Sequence, residues 1–302
     1  MASPSIEFTF RWWGPEDPVS LANLAQVPNV RTVVTSLSHV PIGEAWSPAD
    51  IHERQAVCRA AGLEWTVVES VPVHEAIKLA APERDRYIEA YATTLKRLGE
   101  AGVRTVCYNF MPVFDWMRTD FDYRLPDGSS VVSYSQAALN AIDLSKGLPK
   151  LPAWPQAYTA AELQAMFDRY SGVTDEEFLG RFRYFIQAVA PVAEAAGVNL
   201  AIHPDDPPWR IFGLPRIVGS EAGLAAILEC SDSPAHGLTF CTGSLGVVAG
   251  NDLPGMVRRF GERIHFAHLR NVKRRGEREF HEVDHTRGAG SVDLVEVMAA
   301  LV

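Results

Sequence analysis

Apolar positions along the chain fall into short β-type runs separated by longer stretches with helical spacing. Ile6–Arg11 alternates apolar and polar residues and reads as a first strand. Val30–Thr35, Leu63–Ser70 and Val103–Asn109 are rich in valine and threonine and read as strands two to four. Val198–His203, Leu238–Cys241 and Ile264–His268 make seven. Between them, helices are predicted from Asp17-Pro18 onward, from Ser47-Pro48 to Ala61, and over Pro82–Ala101, Asp175–Ala196, Gly219–Cys230 and Leu253–Phe260, with a last one starting at Val292. Ser47 before Pro48 supplies an N-cap and a first-turn proline. Gly62, Gly102 and Gly197 stop three of the helices.

Strand, loop and glycine-closed helix in alternation is the rhythm of a parallel sheet. The predicted fold class is therefore α/β, a TIM (β/α)8-type barrel, which typically takes about 250 residues. It forms a single domain over residues 1–302, with strand eight expected to be missing from these 302 residues. Residues from about 110 to 174 break the rhythm: they are rich in Trp, Tyr, Pro and Gly, with Asp127-Gly128 as a turn and a short helix at 161–170. They read as an insertion after strand four. Arg270–Glu282 reads as a long charged loop.

Three of the predicted strands end in a soft or borderline metal ligand: His203, Cys241 and His268. The ligands lie 38 and 27 residues apart, each gap about one strand–helix unit, which makes them neighbours around a barrel rim. Two imidazoles and a thiolate suit Zn, Fe(II) or another transition ion better than Mg or Ca, and three protein ligands leave room for substrate. His265 competes with His268, but the two point to opposite faces of a strand, and the strand-end position favours His268. His39, Asn109, Asp205 and Arg270 also sit just past strand ends and could bind a polyol or a carboxylate, Arg270 best of all because a guanidinium pairs bidentately with one. His281-Glu282 and Asp284-His285 lack the helix and the order of an HExxH motif.

Composition narrows the functional classes. A net charge of −9 argues against a nucleic-acid partner, which needs a basic surface. No apolar run approaches the ~18 residues that suggest a membrane span. Four cysteines lie far apart with no CxxC pair and no secretory segment ahead of them, so a reducing, cytoplasmic location is expected.

Seven stretches are similar to one known family. They are Phe10–Gly14 (Phe-Arg-Trp-Trp-Gly), Val34–Leu37, Glu69–His74, Cys107–Trp116, Ile202–Pro208, Leu238–Ser244 and His265–Asn271. Through them the sequence resembles the D-mannonate dehydratases of the UxuA type over nearly its whole length. The resemblance implies a xylose-isomerase-like barrel, a lyase that converts the small sugar acid D-mannonate to 2-dehydro-3-deoxy-D-gluconate in glucuronate catabolism, and a homo-oligomer. It also implies Mn2+ or Fe2+, where ligand softness alone suggests Zn2+, bound by His203, Cys241 and His268. The family adds a fourth ligand, an aspartate, and a catalytic histidine in an Arg-Pro-Asp-His-Gly motif after strand eight, followed by a tyrosine. These 302 residues do not contain that motif, so the acid and base are expected beyond Val302. A metal-dependent sugar isomerase on the same barrel, or a catalytically silent metal- or ligand-binding barrel, are the alternative readings.

Overall fold

The computed structural model describes residues 6–143 and 159–302. The chain runs through β1 (Thr9–Arg11), α1 (Leu21–Leu24), β2 (Thr32–Thr35), α2 (Pro48–Ala60), β3 (Glu64–Glu69), α3 (Glu75–Lys78), α4 (Arg84–Glu100) and β4 (Thr105–Tyr108). It continues with β5 (Asp120–Arg124), β6 (Ser130–Ser135), α5 (Gln136–Asn140), α6 (Ala160–Tyr170), α7 (Asp175–Ala195), β7 (Asn199–Ile202), α8 (Glu221–Leu228) and β8 (His236–Cys241). The last elements are α9 (Thr242–Leu245), α10 (Leu253–Phe260), β9 (Ile264–His268), β10 (Asn271–Gly276), β11 (Glu279–Val283) and α11 (Leu294–Leu301).

Seven strands pair in the order β1-β2-β3-β4-β7-β8-β9, every neighbouring pair parallel. They coincide with the seven strands expected from the apolar runs. The sheet curls: His268 at the end of β9 lies 3.2 Å from Glu69 at the end of β3, although three strands separate them in the sheet. All C-terminal strand ends share one rim. β2 and β8 are buried along their whole length, as strands are when helices cover one face and a barrel interior the other.

Helix α7 shows how the outer layer is fixed. Thr174 and Glu177 cap each other's backbone in a capping box at its start. Phe178, Phe182, Phe185, Ile186 and Val189 then recur at helical spacing and are fully buried. Their rings pack on Phe110, just past β4, at 5.1–5.7 Å between centroids. α4 packs against the end of α7 so closely that a Cβ at Gly99 would overlap the Ala196 carbonyl.

The segment Arg270–Glu282 corrects one expectation. It is not a loop but a hairpin, β10 and β11, and it belongs to a second, antiparallel sheet of order β10-β11-β6-β5. Its partners come from the segment read as an insertion, some 140 residues upstream. Lys273 and Arg275 make the hairpin look solvated when read alone. Val272 and Phe280 turn inward, and Phe280 stacks on Tyr134 of β6 at 5.5 Å. His281 and Glu282, expected in that loop, are therefore strand residues. Residues 144–158 of the expected insertion lie outside the described residues. Among the described residues no helix is long and apolar enough to cross a membrane.

Candidate metal centre

His203, Cys241 and His268 converge, with ligand atoms all within 4.8 Å of one another. Their strands explain why. Cys241 and His268 are register partners across β8 and β9, and the His203 amide donates to the Tyr108 carbonyl at 2.8 Å one residue past β7. Three adjacent strand ends thus deliver three donors to one point. His265 turns the other way and meets the Pro234 carbonyl at 3.1 Å.

The hydrogen bonds fix which ring nitrogens are free. His203 Nδ1 lies 2.7 Å from the Pro204 carbonyl, which can only accept, so Nδ1 carries the proton. His268 Nε2 lies 3.2 Å from the Glu69 carboxylate and must likewise donate. This leaves His203 Nε2 and His268 Nδ1 facing each other at 3.1 Å. In the neutral rings both atoms present lone pairs, so either a proton or a cation must lie between them. When a proton takes the position, His268 is the ring that carries it. Burial pulls its pKa down, but Glu69 and Cys241 outweigh burial and push it up to about 10.

The sulfur completes the set. Burial would raise the Cys241 thiol, yet Arg270 and His203 outweigh it and hold it well below its ordinary value, in the thiolate form that binds metals. The Ser244 amide and hydroxyl donate to Sγ at 3.4 and 3.3 Å. Two imidazole lone pairs and a thiolate, the rings held by a carbonyl and a carboxylate, fit a divalent transition ion, because such outer hydrogen bonds set the tautomer a ligand needs.

Arg270 reaches this sulfur from a buried charge chain. Its Nη2 bonds Asp206 at 2.6 Å and Ser244 Oγ at 3.2 Å, and its Nη1 lies 3.7 Å from Glu282. Asp206 in turn takes both Nη atoms of Arg118 at 2.8 and 3.1 Å. Arg118 is fully buried between the Trp116 and Phe280 rings, at 4.8 and 5.0 Å. Gly243 makes room for this arrangement, since a Cβ there would overlap the Arg270 guanidinium. The small sheet is therefore bolted to the barrel rim through Glu282 and Arg118.

The other candidates separate. Asn109 is half-buried one residue past β4, on the same rim. Asp205 is buried but turned away, accepting from the Val218 amide at 2.6 Å and pairing with Arg216 at 3.5 Å. Its neighbour Asp206 is the carboxylate that meets Arg270. His39 is exposed and contacts Asp50 at 3.4 Å, at the start of α2. Sequence reasoning missed Glu69, Asp206, Arg118 and Glu282. Glu69 did carry a signal: it ends a strand, the criterion that singled out the three candidate ligands. Cys107, the register partner of Glu69, forms a second donor group with Glu69 and His268, all within 4.8 Å.

Fold and site together define a (β/α) barrel with a candidate transition-metal centre at the C-terminal ends of its strands. The crystal structure of a xylose isomerase domain protein from Planctomyces limnophilus shares the fold alone, with a TM-score of 0.55 at 14% identity over 99% of this chain and 87% of that one. The family model described as D-mannonate dehydratase (UxuA) matches residues 6–302. "Mannonate dehydratase 2" of Halalkalibacterium halodurans is 46% identical over 98% of this chain and 86% of its own length. The mannonate dehydratase of Thermotoga petrophila is 45% identical over 98% and 85%. The crystal structure of mannonate dehydratase from Streptococcus suis serotype 2 superposes with a TM-score of 0.91 at 40% identity, covering 99% of this chain and 82% of that one. The chain belongs to the D-mannonate dehydratase (UxuA) family.

Proposed function

We propose that the chain is a hydro-lyase that removes water from D-mannonate to give 2-dehydro-3-deoxy-D-gluconate, with His203, Cys241 and His268 holding a divalent ion, Mn2+ or Fe2+. The observation that carries the metal assignment is the pair of facing ring nitrogens at 3.1 Å with the Cys241 thiolate beside them. The donor set would also accept Zn2+. Family membership and the relatives' names support the substrate and the reaction.

When bound, the ion supplies Lewis-acid stabilisation for the negative charge that develops as the proton next to the carboxylate leaves C2. The chain's own residues prepare for that. Pro204 and Glu69 lock the two imidazoles with their lone pairs turned inward. Arg270 keeps a fixed positive charge beside Cys241, itself clamped by Asp206 and Glu282. Asn109, at the end of β4, is the rim amide placed to meet a sugar hydroxyl. The location proposed is the cytoplasm, in glucuronate catabolism, and four unpaired cysteines fit a reducing compartment. The assembly proposed is a homo-oligomer.

The test is incubation of the Mn-loaded full-length protein with D-mannonate while following the 2-keto-3-deoxy acid. Turnover is expected, falling to background when a chelator strips the metal and returning when Mn2+ is restored. Metal-loaded full-length protein that leaves D-mannonate untouched would contradict the assignment.

A further inference from the structure

We propose that Arg11, at the end of β1, anchors the carboxylate of the sugar-acid substrate; the inference rests on the functional reading above. Several arginines lie near this end of the barrel, and three of them hold carboxylates at 2.6–3.7 Å. Arg270 has Asp206 and Glu282, Arg118 has Asp206 and Glu282, and Arg216 has Asp205 and the Phe114 carbonyl. Arg11 differs. Its Nη1 stands 3.8 Å from Glu69 Oε2, beyond hydrogen-bond distance, and that oxygen already accepts from His268 at 3.2 Å. Neither Nε nor Nη1 of Arg11 has a hydrogen-bond partner among the described residues; Arg216 leaves the same two atoms unmet, but its side chain is 2% exposed against 24% for Arg11.

A buried guanidinium with unmet N–H groups is costly unless something completes it. The group that matches its planar fork is a carboxylate. About a quarter of the Arg11 side chain stays exposed, so a ligand at the rim can reach it. Glu69 is hydrogen-bonded to His268 and ion-paired with Arg11, which places this cation one side chain away from the candidate metal ligand. An aldonate lying between them would present its carboxylate to Arg11 and its neighbouring carbons to the centre. The Arg11 guanidinium lies over the Trp13 ring at 4.3 Å, and Trp13 is 61% exposed.

The test is calorimetric titration of Mn-loaded native protein, Arg11→Gln and Arg11→Lys with D-mannonate, D-gluconate and the neutral polyol D-mannitol. Mn2+ affinity is measured in parallel by chelator competition. Native protein is expected to bind the two acids and not the polyol. Arg11→Gln should bind both acids about 10–100-fold more weakly, the loss expected for a charge-assisted hydrogen bond. Arg11→Lys keeps the charge but not the fork and should lose roughly tenfold, which carries the test if the glutamine variant does not fold. Mn2+ affinity should be unchanged in both. Undiminished acid binding by the variants, or a parallel loss of Mn2+ affinity, would overturn the inference and leave the functional reading standing. Native protein that binds neither acid would overturn the functional reading itself.

Discussion

Replacing Cys241 with alanine is expected to abolish dehydration of D-mannonate while leaving the barrel folded. The sulfur is one of three donors, and the two imidazoles alone form a much poorer site for a transition ion. Losing an outer hydrogen-bond partner of a metal site costs roughly 10–100-fold in affinity or activity. Losing a ligand should therefore cost more than 100-fold in Mn2+ affinity, on the order of total inactivity. Folding survives because Cys241 is small, and the strand around it is held by its pairing with β9. Cys241→Ser separates the roles: serine keeps an acceptor for the Ser244 amide but offers a neutral, hard oxygen in place of a thiolate. With Co2+ as the probe, native protein should show a near-ultraviolet thiolate-to-metal absorption band that both variants lack. A serine variant with native turnover and native metal affinity would remove Cys241 from the site.

The largest stability effect is expected at Asp206. Its carboxylate is buried and answers two cations at once, bidentately for Arg118 and at 2.6 Å for Arg270. Asp206→Ala would leave Arg118, with no exposed side-chain surface, with the Met117 carbonyl and only the more distant Glu282, at 3.5 Å, as a carboxylate partner. Removing one partner of a buried ion pair typically costs about 3–5 kcal/mol, a large share of the ~5–15 kcal/mol that holds a domain together. Urea unfolding should show that drop, and a variant within about 1 kcal/mol of native would contradict it. The pH dependence carries a sign. Burial would raise the Asp206 carboxyl, but Arg118 and Arg270 hold it far below the ordinary range. A depressed carboxyl contributes stability above its unfolded pKa of about 3.9 and loses it as pH falls toward the folded value. The gap between native protein and Asp206→Asn should therefore narrow below about pH 4.

Most of the barrel was legible in the sequence because its information is local. Valine-rich runs, Ser47-Pro48 and the glycine stops each specify an element without help from distant residues. The same locality made the three candidate ligands visible, since each sits at the end of its own strand. What stayed hidden depends on contacts far apart in the chain. The β10–β11 hairpin looks like a charged loop until β6 covers Phe280. Glu69 orients His268 across 199 residues, and Arg118 meets Asp206 across 88. Asp205 and Asp206 stand side by side in sequence, and only the fold shows that the second one faces Arg270 while the first turns to Val218. His39 follows β2 in sequence, and its loop carries it to Asp50 at the start of α2.

The measurement that tests the account most directly is anomalous diffraction from crystals soaked in Mn2+. A single strong peak is expected between His203 Nε2, Cys241 Sγ and His268 Nδ1, roughly 2–2.5 Å from each. Density at Glu69 and Cys107 instead, or no peak at this point in crystals that take up the metal, would contradict the assignment.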